Sequence, residues 1–375
     1  MRFAGWVLLA GLLVLTGCGK FFPPLSQSGG GSGGGSTTGN YLYVANSNPN
    51  LNTLAGFSLA SGALTNTSGS PYASPLTPTC LAMTPSDRFL YVGSTAGAIY
   101  VYSIGSDGSL ALGNGKSPVL TGNSPITMEI DPTGQWMIWI SAFSGEAYAM
   151  GINATTGALS NVNNAGVGLA STSASGLAIT PNDQYVYVAL GTGGVETLGF
   201  NASTGALAAV NTVLAPVQNL DADRAVAVSP NGQYLFVTET GINAVRVFSI
   251  RANGTLSEVT GSPFKTGLGP AAVLVDSTGS YVYVANRTDN TISAFTVGTT
   301  GGLTAITGSP FSTGTTPVAL AEDRTKGYVA VANQGGNPDL QVFQISTTTP
   351  GALVSTATSS TGTAPTQAIA IAATQ

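Results

Sequence analysis

The chain has no histidine, and only 7% of its 375 residues are charged. Without imidazole it lacks the commonest metal ligand and the usual general base near neutral pH, so Ser-His-Asp and Cys-His arrangements are excluded. Eleven Lys and Arg against 16 Asp and Glu, scattered along the chain, leave a formal charge of −5. That gives no electrostatic footprint for nucleic acid and no polybasic membrane patch. Asp and Glu never gather at calcium-loop spacing, so no metal site is expected. No cofactor is expected either, because the glycines punctuate turns rather than opening a helix as a phosphate-binding loop. Cysteine is scarce, with only Cys18 and Cys80 present. The chain is instead rich in glycine, with 50 residues, and 43% hydrophobic. It must solubilise itself with Ser, Thr and Asn, yet it is long enough to bury a sizeable core.

The N-terminus reads as an address. Met1 and Arg2 precede Phe3 to Leu15, an apolar run of 13 residues that is too short for a comfortable bilayer span. Leu15-Thr16-Gly17-Cys18 resembles the bacterial lipobox, in which small residues allow cleavage just before a cysteine that carries lipid. Residues 1–17 are thus expected to be a lipoprotein signal peptide and Cys18 the lipidated residue. With Cys18 acylated, Cys80 has no partner for an intramolecular disulfide. Residues 18–40 contain Gly29 to Ser36, a Gly/Ser coil, and form a tether with a root-mean-square span of about 26 Å. The expected location is the bacterial cell envelope, with membrane contact through the lipid alone and the protein a monomer.

From Tyr41 to the C-terminus one unit recurs. Aromatic anchors stand at Tyr41, Phe89, Trp136, Tyr185, Tyr234, Tyr281 and Tyr328, and their spacings are 48, 47, 49, 49, 47 and 47 residues. A second landmark, the glycine of a G-x-L element, recurs at Gly62, Gly108, Gly157, Gly205, Gly254, Gly301 and, as G-A-L, Gly351. Short alternating segments such as Tyr281-Val282-Tyr283-Val284 carry strand periodicity, and turn pairs such as Asn231-Gly232 separate the first two strands of a unit. Four-stranded antiparallel units of this length are β-propeller blades. The fold expected for residues 41–375 is therefore all-β, a seven-bladed β-propeller. Residue 41 enters at the second strand of a blade, and the final segment Pro365 to Ala373 matches the first strand of the other units. The C-terminal strand is expected to complete the N-terminal blade and close the ring, removing two exposed edges.

Segments such as Tyr281 to Asn286 and Tyr328 to Asn333, with G-S-P-[FY] after several G-x-L elements, resemble the YVTN-type and lactonase-type seven-bladed propellers, the 6-phosphogluconolactonase-like group. The resemblance implies a lactonase-type hydrolase working in the central funnel on a lactone or sugar-derived ester. It also implies that a first-strand G-P-R-H and a second-strand N-E-L carry the chemistry. Here Arg224 matches the arginine, Ala225 stands at the histidine position, and Glu239 falls one residue before the expected glutamate. The name-giving phosphorylated lactone is cytosolic, which disagrees with an exported chain.

Five positions after each anchor stand Asn46, Ser94, Ser141, Leu190, Glu239, Asn286 and Asn333, a nearly all-polar ring where the second strand opens into its loop. Glu239 is its only carboxylate, and Arg224 begins the first strand of the same blade. Together they suit lactone hydrolysis, with Glu239 activating water and Arg224 stabilising the developing oxyanion. A solvent-exposed ion pair is the simpler alternative. Asn46, Asn286, Asn333 and Arg287 are the candidate ligand contacts, although Asn and Ser at a strand end also bond their own turns. Glu322 to Lys326 reads as a solvated hairpin tip, and Trp136 and Trp139 as core between blades. Two functions follow: a lipid-anchored lactonase-like hydrolase taking a small lactone or sugar-like ligand, or a non-catalytic propeller binding a protein, peptide or glycan at the envelope.

Overall fold

A computed structural model describes residues 39–375 except 48–51, 123, 162–165, 218–221, 337 and 363–367. The expected signal peptide, Cys18 and the expected tether up to residue 38 lie outside the described residues. All described residues belong to one unit, Gly33–Gln375.

Seven antiparallel sheets follow one another along the chain, numbered here as blades 1 to 7. Blade 5 is typical: Asp223–Val228, Tyr234–Glu239, Ala244–Ile250 and Leu256–Glu258 pair in sequence order. In blade 6 the order is Pro270–Val275, Tyr281–Asn286, Thr291–Val297 and Leu303–Ala305. Blade 1 differs, because its innermost strand is the C-terminal Ala368–Ala373, paired antiparallel with Tyr41–Asn46. The innermost strands of successive blades touch in a closed circuit that returns from blade 7 through Ala368–Ala373 to blade 2. The ring closes as the termini imply.

The two sequence landmarks meet at every blade interface. A Cβ added to Gly254 would lie 2.5 Å from the Tyr185 ring, one on Gly205 2.0 Å from Trp136, and one on Gly351 2.4 Å from Tyr281. The seventh contact, Gly62 against Tyr328 at 3.2 Å, spans the junction of last blade and first. These glycines also sit at positive φ, between 69° and 82°, where a side chain is strained in any case. One turn along, tyrosine hydroxyls fasten the same seams, as in Tyr187 to the Gly254 carbonyl at 3.0 Å and Tyr283 to that of Gly351 at 3.0 Å. Apolar clusters fill the spaces between neighbouring blades. Trp139, 1% exposed, and Trp136, 8% exposed, both lie in them as expected.

Strand direction defines two faces. Register pairs such as Pro270 with Asn286 place the start of each innermost strand beside the end of its second strand, on what is here the upper face. The turns joining those strands form the lower face. There the segment expected to be a solvated hairpin tip is structural. Asp323 is buried, accepts the Tyr328 amide at 2.7 Å and the Asn40 side chain at 2.7 Å, while Arg324 pairs with Asp87. This chain has so few charges that the cluster is spent on pinning its own ends.

Candidate functional site

Six of the seven innermost strands carry a β-bulge at their upper end, where one extra residue stands against the second strand. A bulge turns a side chain out of the ladder, a common device beside binding sites. The extra residue is Thr79, Ile126, Ala271, Val318 or Ile369 in five blades, and in blade 5 the bulge spans Arg224 and Ala225. Four of these strands begin with Pro, which has no amide hydrogen to place in the ladder. Blade 5 begins with Asp223 instead. Its backbone is held from blade 4, where Ser175 Oγ lies 3.0 Å from the Asp223 carbonyl and 2.9 Å from that of Arg224. The Arg224 side chain is exposed and makes no ion pair with another described residue.

Arg224 lines a cavity of about 470 Å³ together with Arg287, which follows the second strand of blade 6. The structure thus brings these two candidates together. Thr240, Asn243 and Thr288 add neutral polar atoms, and Leu268 gives an apolar wall. Arg287 also donates to Gln334 at 3.2 Å, which braces it from blade 7. Among the described residues lining the cavity there is no carboxylate. Two arginines line it, and the Asp289 carboxylate, outside the lining, accepts the Leu268 amide at 2.6 Å, so the cavity suits an anion or a developing oxyanion.

Glu239 is not in that wall. It is fully buried, and its carboxylate pairs at 2.9 Å with Arg246, which in turn pairs with Glu258 at 2.9 Å. The expected rim shared by Arg224 and Glu239 is therefore replaced by a Glu239–Arg246–Glu258 triad, buried at Glu239 and Arg246 and open to solvent at Glu258. Register explains it: Glu239 faces Asp223 in the ladder, whereas Arg224 is on the bulge beyond it. Arg246 further donates to the Ala215 carbonyl at 3.0 Å and stacks over Phe248 at 4.6 Å. Burial opposes its charge, but the bonds from Glu258 and Glu239 outweigh this and hold its pKa above the ordinary value. The Arg246 bond likewise holds Glu258 below the usual carboxylate range.

The rest of the polar ring is buried too. Asn46, Asn286 and Asn333 are fully buried, and Ser94 and Ser141 nearly so. Asn46 donates to Thr53 at 3.1 Å and to the Thr361 carbonyl at 3.2 Å. Asn286 donates to Thr291 and Ser293, both at 2.9 Å. Loops cover these amides, for a Cβ on Gly267 would meet Asn286 at 2.7 Å and one on Gly314 would meet Asn333 at 2.8 Å. The ring lies one strand outward from the channel, which is why it serves as a layer beneath the loops.

Arg246, the partner that takes Glu239 out of the rim, is the residue that sequence reading missed, yet a signal for it exists. Seven residues after Asn46 and Asn286 stand their partners Thr53 and Ser293, and seven after Glu239 stands Arg246. The one cysteine among the described residues, Cys80, is buried and its pKa is pushed up to about 12, so it is no nucleophile. Among the described residues no group of three or more metal-ligating side chains comes together.

Comparison with known proteins agrees with this architecture. The family model "Lactonase, 7-bladed beta-propeller" matches residues 55–369. No curated protein sequence matches the chain. Among solved structures, the periplasmic gluconolactonase of Pseudomonas aeruginosa is 18% identical with a TM-score of 0.73, covering 90% of this chain and 99% of its own. A protein of Lactobacillus plantarum is 22% identical with a TM-score of 0.72, over 90% of this chain and 99% of its own. At such identities the likeness is one of fold.

Proposed function

We propose, from the premise that the chain belongs to the seven-bladed β-propeller lactonase family, that the cavity walled by Arg224 and Arg287 binds a lactone and opens its ring. The observation that carries this reading is the pair of guanidinium groups facing one cavity with no carboxylate among its lining residues. Hydroxide adds to the lactone carbonyl, the oxyanion forms against Arg224, and the ring C–O bond breaks, the departing alkoxide taking up the proton of the new carboxyl group to give a hydroxy acid as its carboxylate. Arg287 holds a second acceptor of the substrate. Preorganised donors at a developing oxyanion are each worth about 10²–10³ in rate.

Among the described residues lining the cavity no group takes the proton from water, so the proposed attack depends on hydroxide, and Glu239 acts only by positioning Arg246 and, through it, the chain at Ala215. The rate on activated lactones should therefore climb steadily with pH and show no inflexion between pH 5 and 8. Initial rates on γ- and δ-lactones, phosphorylated and not, test this. Arg224→Ala should lose at least about tenfold, and Glu239→Gln much less. An inflected profile together with equal losses in the two variants would return Glu239 to the role of base.

A second reading, a non-catalytic propeller binding a protein, peptide or glycan at the envelope, is favoured by one observation, the commitment of Glu239 to Arg246. No turnover above the buffer rate would select it. Either function is proposed to operate on a lipid anchor at Cys18. Labelled palmitate should enter the wild-type chain and not Cys18→Ser, and label in that variant would refute the anchor.

A further inference from the structure

The hydrogen-bonding inventory of the cavity narrows what it can hold. Donors dominate, with the guanidinium groups of Arg224 and Arg287 on two sides. Acceptors are few: the Asn243 side-chain oxygen is taken by the Gly269 amide at 2.8 Å, which leaves the Thr240 and Thr288 hydroxyls as the neutral side-chain acceptors of the lining. A sugar lactone carries several hydroxyl donors, each needing an acceptor when it leaves water. Among the described residues the lining offers no carboxylate for them and no aromatic ring for a sugar face to stack on.

The remaining wall is apolar. Leu268 is 49% exposed there, a large hydrophobic side chain left open to solvent in a cavity mouth. At the equivalent bulge position of the other innermost strands stand Ile126, Val318 and Ile369, each half-buried, Thr79, whose hydroxyl is taken up by the Pro125 carbonyl at 2.6 Å, and Ala271, itself in the cavity wall. Blade 5 is the one place in this collar with a charge. The upper mouth of the channel is thus an apolar collar with its cations gathered at one side.

From this arrangement we infer that the ligand is an anion or lactone with an apolar body, such as an alkyl-bearing lactone or its hydroxy acid, and not a polyhydroxylated sugar lactone. The head group lies between Arg224 and Arg287, and the alkyl portion lies over Leu268 and the collar. The inference rests on the cavity proposed above as the lactone site, and narrows its substrate class.

Calorimetric titration of the purified full chain with octanoate, gluconate and inorganic phosphate tests it. Octanoate should bind at least about tenfold more tightly than gluconate, since an apolar contact discriminates by about that factor. Arg224→Ala should abolish octanoate binding, and Leu268→Asn should weaken it severalfold while leaving phosphate unchanged. Gluconate binding as tight as octanoate, or octanoate binding that survives Arg224→Ala, overturns the inference. Parallel hydrolysis of γ-octalactone and glucono-δ-lactone separates it from the proposed function. Arg224-dependent octanoate binding with no turnover of either lactone keeps the ligand class and removes the hydrolase. Arg224-dependent turnover of gluconolactone alone keeps the hydrolase and removes the ligand class.

Discussion

Glu129 shows what one carboxyl group does in a chain with few charges. It lies on the innermost strand of blade 3 and accepts a single bond at 3.3 Å, from the Ile179 amide of blade 4. Burial pushes its pKa from 4.5 up to about 8, against the lowering effect of that one bond. The folded state therefore holds a proton that the unfolded chain releases above about pH 4.5, so stability falls as pH rises from there to about 8 and stays low beyond. Asp183 adds to the same trend, raised to about 6 by burial and then by Asp131 nearby. Replacing Glu129 by Gln keeps an acceptor for Ile179 and removes the charge. Thermal unfolding of Glu129→Gln should match wild type at pH 4 and exceed it by about 3 °C at pH 9, on the order of 2 kcal/mol. Equal midpoints at both pH values would show that water reaches the carboxylate.

Most of the strand pattern is legible in the sequence, and the reason is the pairing of the two landmarks. The spacing of aromatic anchors and G-x-L glycines locates every blade because each glycine receives the ring of an anchor across the seam, so close that a Cβ on Gly254 would lie 2.5 Å from Tyr185. The packing that makes the interface also makes the repeat. Gly254→Ala forces a Cβ into that ring at φ +78°, and should cost about 2–4 kcal/mol in urea unfolding. Gly302→Ala, with open space around it, should stay within about 0.5 kcal/mol. Similar losses in both would mean that the seam is not tightly packed. Side-chain destinations at strand ends are far less legible. Arg224 stands out in the sequence because it is a lone cation at its position, but a bulge of one residue sends it to the cavity while Glu239 stays in the ladder. No periodicity reports that shift. The burial of Asn46, Asn286 and Asn333 is hidden for a related reason, since the loops covering them come from other repeats.

At the scale of the whole molecule, both ends of the described chain meet on the lower face, opposite the arginine cavity. The Tyr41 amide donates to Thr374 at 2.8 Å, the Gln375 amide to Asp87 at 2.9 Å, and the Asn40 amide group to Asp323 at 2.7 Å. The strand Ala368–Ala373 supplies the inner edge of blade 1, and its Ile369 and Ile371 pack against clusters on either side. Two contributions can be separated. Deleting Thr374 and Gln375 removes only the polar clasp, and should lower stability by about 1–3 kcal/mol while leaving one cooperative transition. Deleting Ala368 to Gln375 opens the ring, bares the edge of Tyr41–Asn46, and uncovers apolar surface on blades 1, 2 and 7. An open edge of that kind pairs with other chains, so this variant should lose its cooperative transition and aggregate, as measured by light scattering during heating. A synthetic peptide of residues 368–375 should restore solubility by refilling the edge. A truncated protein that melts as wild type without the peptide would show that the blade seams alone hold the ring, leaving the C-terminal strand no part in its stability.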